Sequence, residues 1–412
     1  MTDLTAAFPR LAFRLDLGRN GAAEVELGVV LAVLALIGLA VAPAVGTPGA
    51  VLFLAAGCIL IASRPGPVLA LAFRAWPVVL LAAFCTLSFT WSREPALSLR
   101  FGLQLAATAA IALAICERLG PRSFCLCLAL LLGGAMVASL VAGGTSGESN
   151  AWTGIYGSKN AFAGAAATFT ILALGLALGP GRRALRAAAL AAGAGGIGLA
   201  VLAQSVGTLV LLTLTLAVTG VLLVASRLGR AHAAAVFAFM ALIGTALALW
   251  ATAHLREISA FLLDATGKDL TLTGRTELWA VAEVLIAERP LFGVGYQAFW
   301  VPGNAEAEAL WHMFGIESRS GFNFHNMYLS NAVEIGVLGV GLQALILLGA
   351  GVFTALWTLR TGAPVAATLF ALTFMAILGS VIEVPVFFQF SLRTVLVIAA
   401  FHYAREALAA GR

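Results

Sequence analysis

Charge is what this chain has least of. Asp, Glu, Lys and Arg make up 10% of its 412 residues, against about 25% in an ordinary soluble domain. That scarcity excludes a solvated globular surface. No stripe of basic residues interleaved with aromatics exists either, so the net charge of +5 does not indicate nucleic acid. Metal-ligand spacing is also missing. The five cysteines (Cys58, Cys85, Cys116, Cys125, Cys127) lie in or beside apolar runs, away from any histidine partner. They read as small apolar helix residues, and no metal or other cofactor is expected. The first 26 residues mix Arg10, Arg14 and Arg19 with Asp16, Glu24 and Glu26. They read as a cytoplasmic tail or interfacial helix rather than a cleavable signal.

What fills the chain instead is apolar. Hydrophobic residues reach 61%, in runs near the roughly 20 residues that cross a bilayer. The expected fold is an all-α polytopic membrane protein with about twelve transmembrane helices. Spans are expected at 27–42, 50–62, 75–91, 97–116, 123–142, 160–179, 184–204, 207–225 and 232–253. Three more are expected at 325–356, 364–382 and 385–404. This divides the chain into a tail (1–26), a bundle of about nine spans (27–253), a long loop (254–324), the last spans (325–404) and a second tail (405–412).

Arginine placement orients these spans. With both termini cytoplasmic, the inner segments hold fifteen of the 24 basic residues, among them Arg64, Arg74, Arg118, Arg122, Arg182, Arg183 and Arg186. Of the other nine, Arg256, Lys268, Arg275, Arg289 and Arg319 fall in the long loop, which the rule does not count. The chain is thus expected in a bacterial inner membrane with the loop facing the periplasm. The loop also gathers acids from Glu257 to Glu317, and a loop of this length is usually functional or disordered. Within it, Leu278, Ala282, Leu285 and Ile286 recur at helical spacing between Thr273-Gly274 and Pro290. They predict an amphipathic helix over Arg275–Glu288, on the membrane surface or against the bundle.

Three basic side chains share one peculiarity. Lys159 follows Ser158 at the start of the sixth span, Arg275 opens the loop helix, and His325 opens the tenth span. The helix macrodipole disfavours a cation there by about 0.3–1 kcal/mol, while the free N–H groups attract anions. For any one of them a chance interfacial cation is the plainer reading; three on one face weaken it. A phosphate would be the natural occupant. His325 could serve as a general base, since a neutral imidazole can take a proton from a hydroxyl. Deeper in the membrane, Glu334 and Arg393 lie at matching expected depths and are expected to form an ion pair between the tenth and twelfth spans.

At these residues the sequence resembles the O-antigen ligase and Wzy-type polysaccharide polymerase superfamily, and within it the exopolysaccharide polymerases. Gly157-Ser158-Lys159-Asn160 is the first piece. Thr273-Gly274-Arg275-Thr276-Glu277-Leu278-Trp279 follows, then Arg289-Pro290-Leu291-Phe292-Gly293-Val294-Gly295-Tyr296 and Phe299. The last is His325-Asn326-Met327-Tyr328-Leu329, with Glu334, Gly336 and Gly339. The resemblance implies metal-independent, inverting glycosyl transfer on the periplasmic face, from a glycan on undecaprenyl pyrophosphate to a glycan acceptor. It implies a pyrophosphate arginine at Arg275, a base at His325, and substrate contacts at Lys159, Asn160 and Asn326. The superfamily often places a cation after a serine between the seventh and eighth spans. Here that stretch reads Gln204-Ser205-Val206-Gly207-Thr208, so Arg319 and Arg256 become the candidate replacements.

Three functions stay open on the sequence. A polymerase joins repeat units, with other polysaccharide export proteins as its expected partners. A ligase moves the finished glycan to a lipid or protein. A transporter of a lipid-linked sugar or small anion is the third, but no internal repeat is found and the charges gather at one face, unlike the midplane sites of transporters.

Overall fold

The computed structural model describes residues 12–16, 22–146, 150–254 and 274–411. The chain opens with an antiparallel hairpin of β1 (Ala12–Asp16) and β2 (Ala22–Glu26), in which Arg14 pairs with Glu24 in register. The described residues of this tail form a hairpin and not the interfacial helix considered for it. Helices follow: α1 (Leu27–Val45), α2 (Thr47–Ser63), α3 (Pro65–Arg74), α4 (Trp76–Leu87), α5 (Pro95–Arg118), α6 (Pro121–Ala142), α7 (Lys159–Leu178), α8 (Arg183–Leu202), α9 (Val206–Ala225) and α10 (Arg230–Ala253). Then come α11 (Arg275–Glu288), α12 (Ala305–Met313), α13 (Met327–Thr361), α14 (Pro364–Gly379) and α15 (Leu392–Ala409). Proline begins six of them, at Pro48, Pro65, Pro77, Pro95, Pro121 and Pro364. In a first turn the missing N–H would have had no helical partner anyway.

Among the described residues, seven helices are long and apolar enough to cross a membrane, or eight if a bent pair counts as one. This is a multi-pass membrane protein, and among the described residues fewer full-length spans are found than the twelve expected. The shortfall lies in broken or short elements. The second expected span continues as α2 into α3 across a 100° bend. The third shrinks to α4 and a 3₁₀ turn at Ser88–Thr90. The twelfth does not begin at Pro385, because residues 385–391 are irregular and α15 starts at Leu392.

One end of the bundle collects the arginines that sequence reading grouped together. Arg64 meets Glu117, Arg74 meets Glu406, Arg118 donates to Ser63, and Arg122 donates to the Pro180 carbonyl. The other end carries α11, α12 and the irregular segments. There Leu278, Ala282 and Leu285 of α11 face a small core of their own, with Phe299, Leu310, Trp311 and Phe324. The amphipathic helix thus spans the expected residues and packs by its expected face.

The decisive local feature is a break in α13. Gly336 has φ 64° and ψ −178°, a region open essentially to glycine alone. A broken helix leaves backbone groups without partners, and hydrocarbon supplies none. Segment 290–297 supplies them. Val294 and Gly295 donate their N–H groups to the Val333 and Glu334 carbonyls at 3.0 and 2.8 Å. The carbonyls of Pro290 and Leu291 accept from Val337 and Leu338 at 2.8 and 3.4 Å. The Glu334 carboxylate accepts from Gln297 N–H at 2.9 Å. Tyr296, fully buried, extends the seam: its hydroxyl donates to the Phe387 carbonyl at 2.8 Å, and its N–H donates to Ser88 Oγ at 3.0 Å.

A Cβ at Gly336 would overlap the Leu291 carbonyl. Gly336→Ala should therefore cost about 1–3 kcal/mol for the backbone conformation alone, with the clash added. Its melting midpoint in detergent should fall well below that of Gly341→Ala, a helical site in the same helix with open space around it. Equal midpoints would show that the seam does not hold the break.

Candidate functional site

Three chain segments meet at the end of the bundle that carries α11. Gly274, at φ 81°, caps α11, and a Cβ there would overlap the Phe314 ring. Arg275 is the first helical residue, as the sequence predicts. Trp279, one turn along, donates its indole N–H to the Phe324 carbonyl at 2.9 Å. That bond ties α11 to the residue preceding His325.

His325 does not open the helix. It lies two residues before α13, at φ 48°, an uncommon conformation for a residue with a side chain. Asn323 Oδ1 accepts its N–H at 2.7 Å, and the Phe322 ring meets its imidazole edge-on at 5.8 Å. Asn326 is the true cap: its Oδ1 accepts from the N–H groups of Tyr328 and Leu329 at 3.0 and 3.2 Å. The side chain expected to touch substrate thus caps the start of α13.

Glu383 brings the pieces together. Its Oε2 lies 3.2 Å from His325 Nδ1, and its Oε1 lies 3.4 Å from Arg275 Nη2. Arg275 Nη1 also donates to the Ile382 carbonyl at 3.0 Å. All three side chains keep partial access to solvent, at 28%, 36% and 20% for His325, Glu383 and Arg275. Sequence reading missed Glu383. Its signal was present: it is the lone acid between the last two apolar runs.

The remaining candidates divide. Lys159 is the first residue of α7, as expected, and among the described residues its side chain has no hydrogen-bond or ion-pair partner. Asn160 beside it accepts from Ser205 Oγ at 3.1 Å, so the Lys-Asn motif touches the stretch where the expected cation is missing. Arg319 does not join the cluster; its Nε faces Glu308 at 3.2 Å, at an exposed position. Arg256 and Lys268 lie outside the described residues.

The expected ion pair between Glu334 and Arg393 is absent. Glu334 is buried, and its carboxylate is engaged by Gln297. Arg393 makes no ion pair among the described residues; it is the second residue of α15 and its guanidinium lies against Gly164 of α7. The depth estimate failed because it assumed a straight helix from Pro385. The real chain from 385 to 391 is unwound, its Phe390 N–H donating to Thr108 Oγ1, midway along α5.

Comparison with known proteins adds to this geometry. Residues 188–344 match the family model described as O-antigen ligase. That stretch contains Arg275 and His325; Lys159, Glu383 and Arg393 lie outside it. The chain is also similar to the exopolysaccharide production protein ExoQ of Rhizobium meliloti (strain 1021), at 51% identity over 89 residues. The matched stretch covers 22% of this chain and 20% of that relative.

Because Glu334 and Arg393 have different partners, their effects on stability should be independent. Glu334→Leu leaves the Gln297 N–H without its acceptor and should cost about 1–3 kcal/mol. Arg393→Gln should change the detergent melting midpoint little. The double variant should match the sum of the two within about 0.5 kcal/mol. A double variant clearly milder than that sum would reinstate the pair.

Proposed function

We propose that this chain is a membrane-embedded glycosyl transferase that extends an exopolysaccharide or O-antigen chain, using a lipid-linked glycan as donor. The observation that carries the reading is the Arg275–Glu383–His325 cluster, two of whose members lie in the segment matching the O-antigen ligase family. The similarity to an exopolysaccharide production protein supports polymerisation. The family description supports the second reading, a ligase that hands the glycan to a lipid or protein. The two differ in acceptor and share the chemistry.

The donor on this reading is a glycan on undecaprenyl pyrophosphate. The acceptor hydroxyl attacks the anomeric carbon of the donor sugar from the face opposite the pyrophosphate. The new C–O bond forms as the old one breaks, and the lipid pyrophosphate leaves with the electron pair. The hydroxyl proton passes to His325. Glu383 accepts a hydrogen bond from Nδ1–H, which fixes the tautomer and leaves Nε2 as the base. Arg275, at a helix start, neutralises the leaving pyrophosphate through paired N–H groups. Lys159 adds a second positive helix start. No step calls for a metal.

The arginine-rich end opposite the site faces the cytoplasm by the rule that cytoplasmic segments carry excess Lys and Arg. Both termini then lie inside an inner membrane and the cluster opens to the periplasm.

Reconstituted protein supplied with defined polyprenyl-pyrophosphate glycans tests the reading. His325→Ala should slow transfer roughly 10²–10⁴-fold with membrane insertion unchanged. Glu383→Gln should lower kcat and leave the donor KM unchanged or lower, since it also releases Arg275. Arg275→Ala should raise the donor KM more than Arg275→Lys, which keeps the charge and loses the fork. Products that lengthen by whole repeat units mark a polymerase, and a single transfer to a foreign acceptor marks a ligase. Near-normal product from His325→Ala would remove the base and with it this mechanism.

A further inference from the structure

A second cluster sits beside the first, and the mechanism above does not use it. Arg393 is partly buried at the start of α15, just after Ser391, whose Oγ accepts the Thr394 N–H. Among the described residues its guanidinium has no hydrogen-bond or ion-pair partner, and those that act on it electrostatically are Glu383 and Tyr156. Tyr156 lies in the 3₁₀ turn Gly154–Tyr156 that precedes α7. Its hydroxyl is buried and also without a partner. Burial pushes this phenol up to about 12, and nearby Arg393 offsets part of that rise. It is therefore a proton-bearing donor at neutral pH. The backbone of α7 at Gly164 lies against the arginine, where a Cβ would overlap the guanidinium. The absence of a side chain there makes room for the arginine head.

A buried donor without an acceptor, the Tyr156 hydroxyl, is an anomaly beside the partly buried Arg393, because buried polar groups are nearly always satisfied. A ligand that repairs it must bring acceptors and negative charge. Guanidinium plus phenol suits a tetrahedral oxyanion, which accepts the paired N–H groups of arginine. Glu383 relates this point to Arg275, since its carboxylate bonds Arg275 and acts on Arg393. The two arginines thus flank one carboxylate, and an anion with two phosphates can engage both.

We infer that Arg393 and Tyr156 form a second phosphate subsite, so that the donor's diphosphate is gripped at one phosphate by Arg275 and at the other by Arg393 with Tyr156. The inference rests on the lipid-diphosphate reading of the site. Arg393 would then supply the cation missing after Ser205, from the last helix instead of from the junction of α8 and α9.

The test is binding of undecaprenyl pyrophosphate and undecaprenyl monophosphate to the purified full chain in detergent. The wild-type protein should prefer the diphosphate. Arg393→Gln should weaken diphosphate binding about 10–100-fold, as expected for lost hydrogen bonds to a charged group, and leave monophosphate binding nearly unchanged. The preference between the two lipids should therefore collapse, which a general structural defect would not produce. Arg393→Lys should recover part of the affinity, and Tyr156→Phe should lower it less than Arg393→Gln does. Gly164→Ala, which displaces only the flexible arginine tip, should reduce the preference in a protein that folds normally. If Arg275→Ala weakens diphosphate binding while Arg393→Gln, Tyr156→Phe and Gly164→Ala leave the preference intact, the subsite is refuted and the donor reading stands. If the wild-type protein binds neither lipid, both are overturned.

Discussion

The structure at the site end depends on one requirement: backbone polar groups buried away from water need partners from protein. Helix α13 violates regular geometry at Gly336, and the chain from Pro290 to Gln297 answers by donating to the carbonyls before the break and accepting from the N–H groups after it. Tyr296 carries the same accounting onward to the unwound stretch before α15. Thr394 and Thr108 complete it by accepting the N–H groups of Phe387 and Phe390. Two irregular segments are thereby held inside the bundle as firmly as helices. Irregular backbone at membrane depth is tolerated where protein buries it or where it lines a polar cavity. Here it delivers Glu383 and Arg393 to the place where Arg275 and His325 arrive from another direction.

Charge balance at that place follows from the same construction. Helix starts favour anions, yet α7 and α11 begin with Lys159 and Arg275, and α15 carries Arg393 at its second position. Glu383 is the one carboxylate that meets both Arg275 and His325 among the described residues. A phosphate ligand would meet more positive than negative charge there, on side chains already held in place by the fold. Such preorganisation is what stabilises a leaving anion without rearrangement during the reaction.

Much of this was legible in the sequence, and the limits have physical causes. The loop helix Arg275–Glu288 was readable because its apolar residues repeat at helical spacing between a glycine and a proline. The sidedness of the arginines was readable because charge avoids hydrocarbon. The break at Gly336 was not, because a glycine within an apolar run gives the same pattern whether the helix continues or stops. A separate error arose at the last span: a straight helix from Pro385 placed Arg393 beside Glu334, whereas the unwound chain turns it toward Gly164. Asn326 looked like a binding residue, and only the geometry of the helix end shows its oxygen already engaged. Glu383 escaped notice because its partners lie 58 and 108 residues away along the chain.

The break in α13 also bears on how the chain is assembled in the bilayer. Beyond Gly336 the helix still has 25 residues, Val337–Thr361, about 37 Å at 1.5 Å per residue and enough to cross the roughly 30 Å hydrocarbon core unaided. Its nine residues before the break, Met327–Ile335, add nothing that insertion requires. They can remain at the aqueous boundary until segment 290–297 folds back onto them. Biogenesis then divides into two stages, a lipid-driven one that threads uninterrupted helix and a later one, in contact with water, that builds the reactive end.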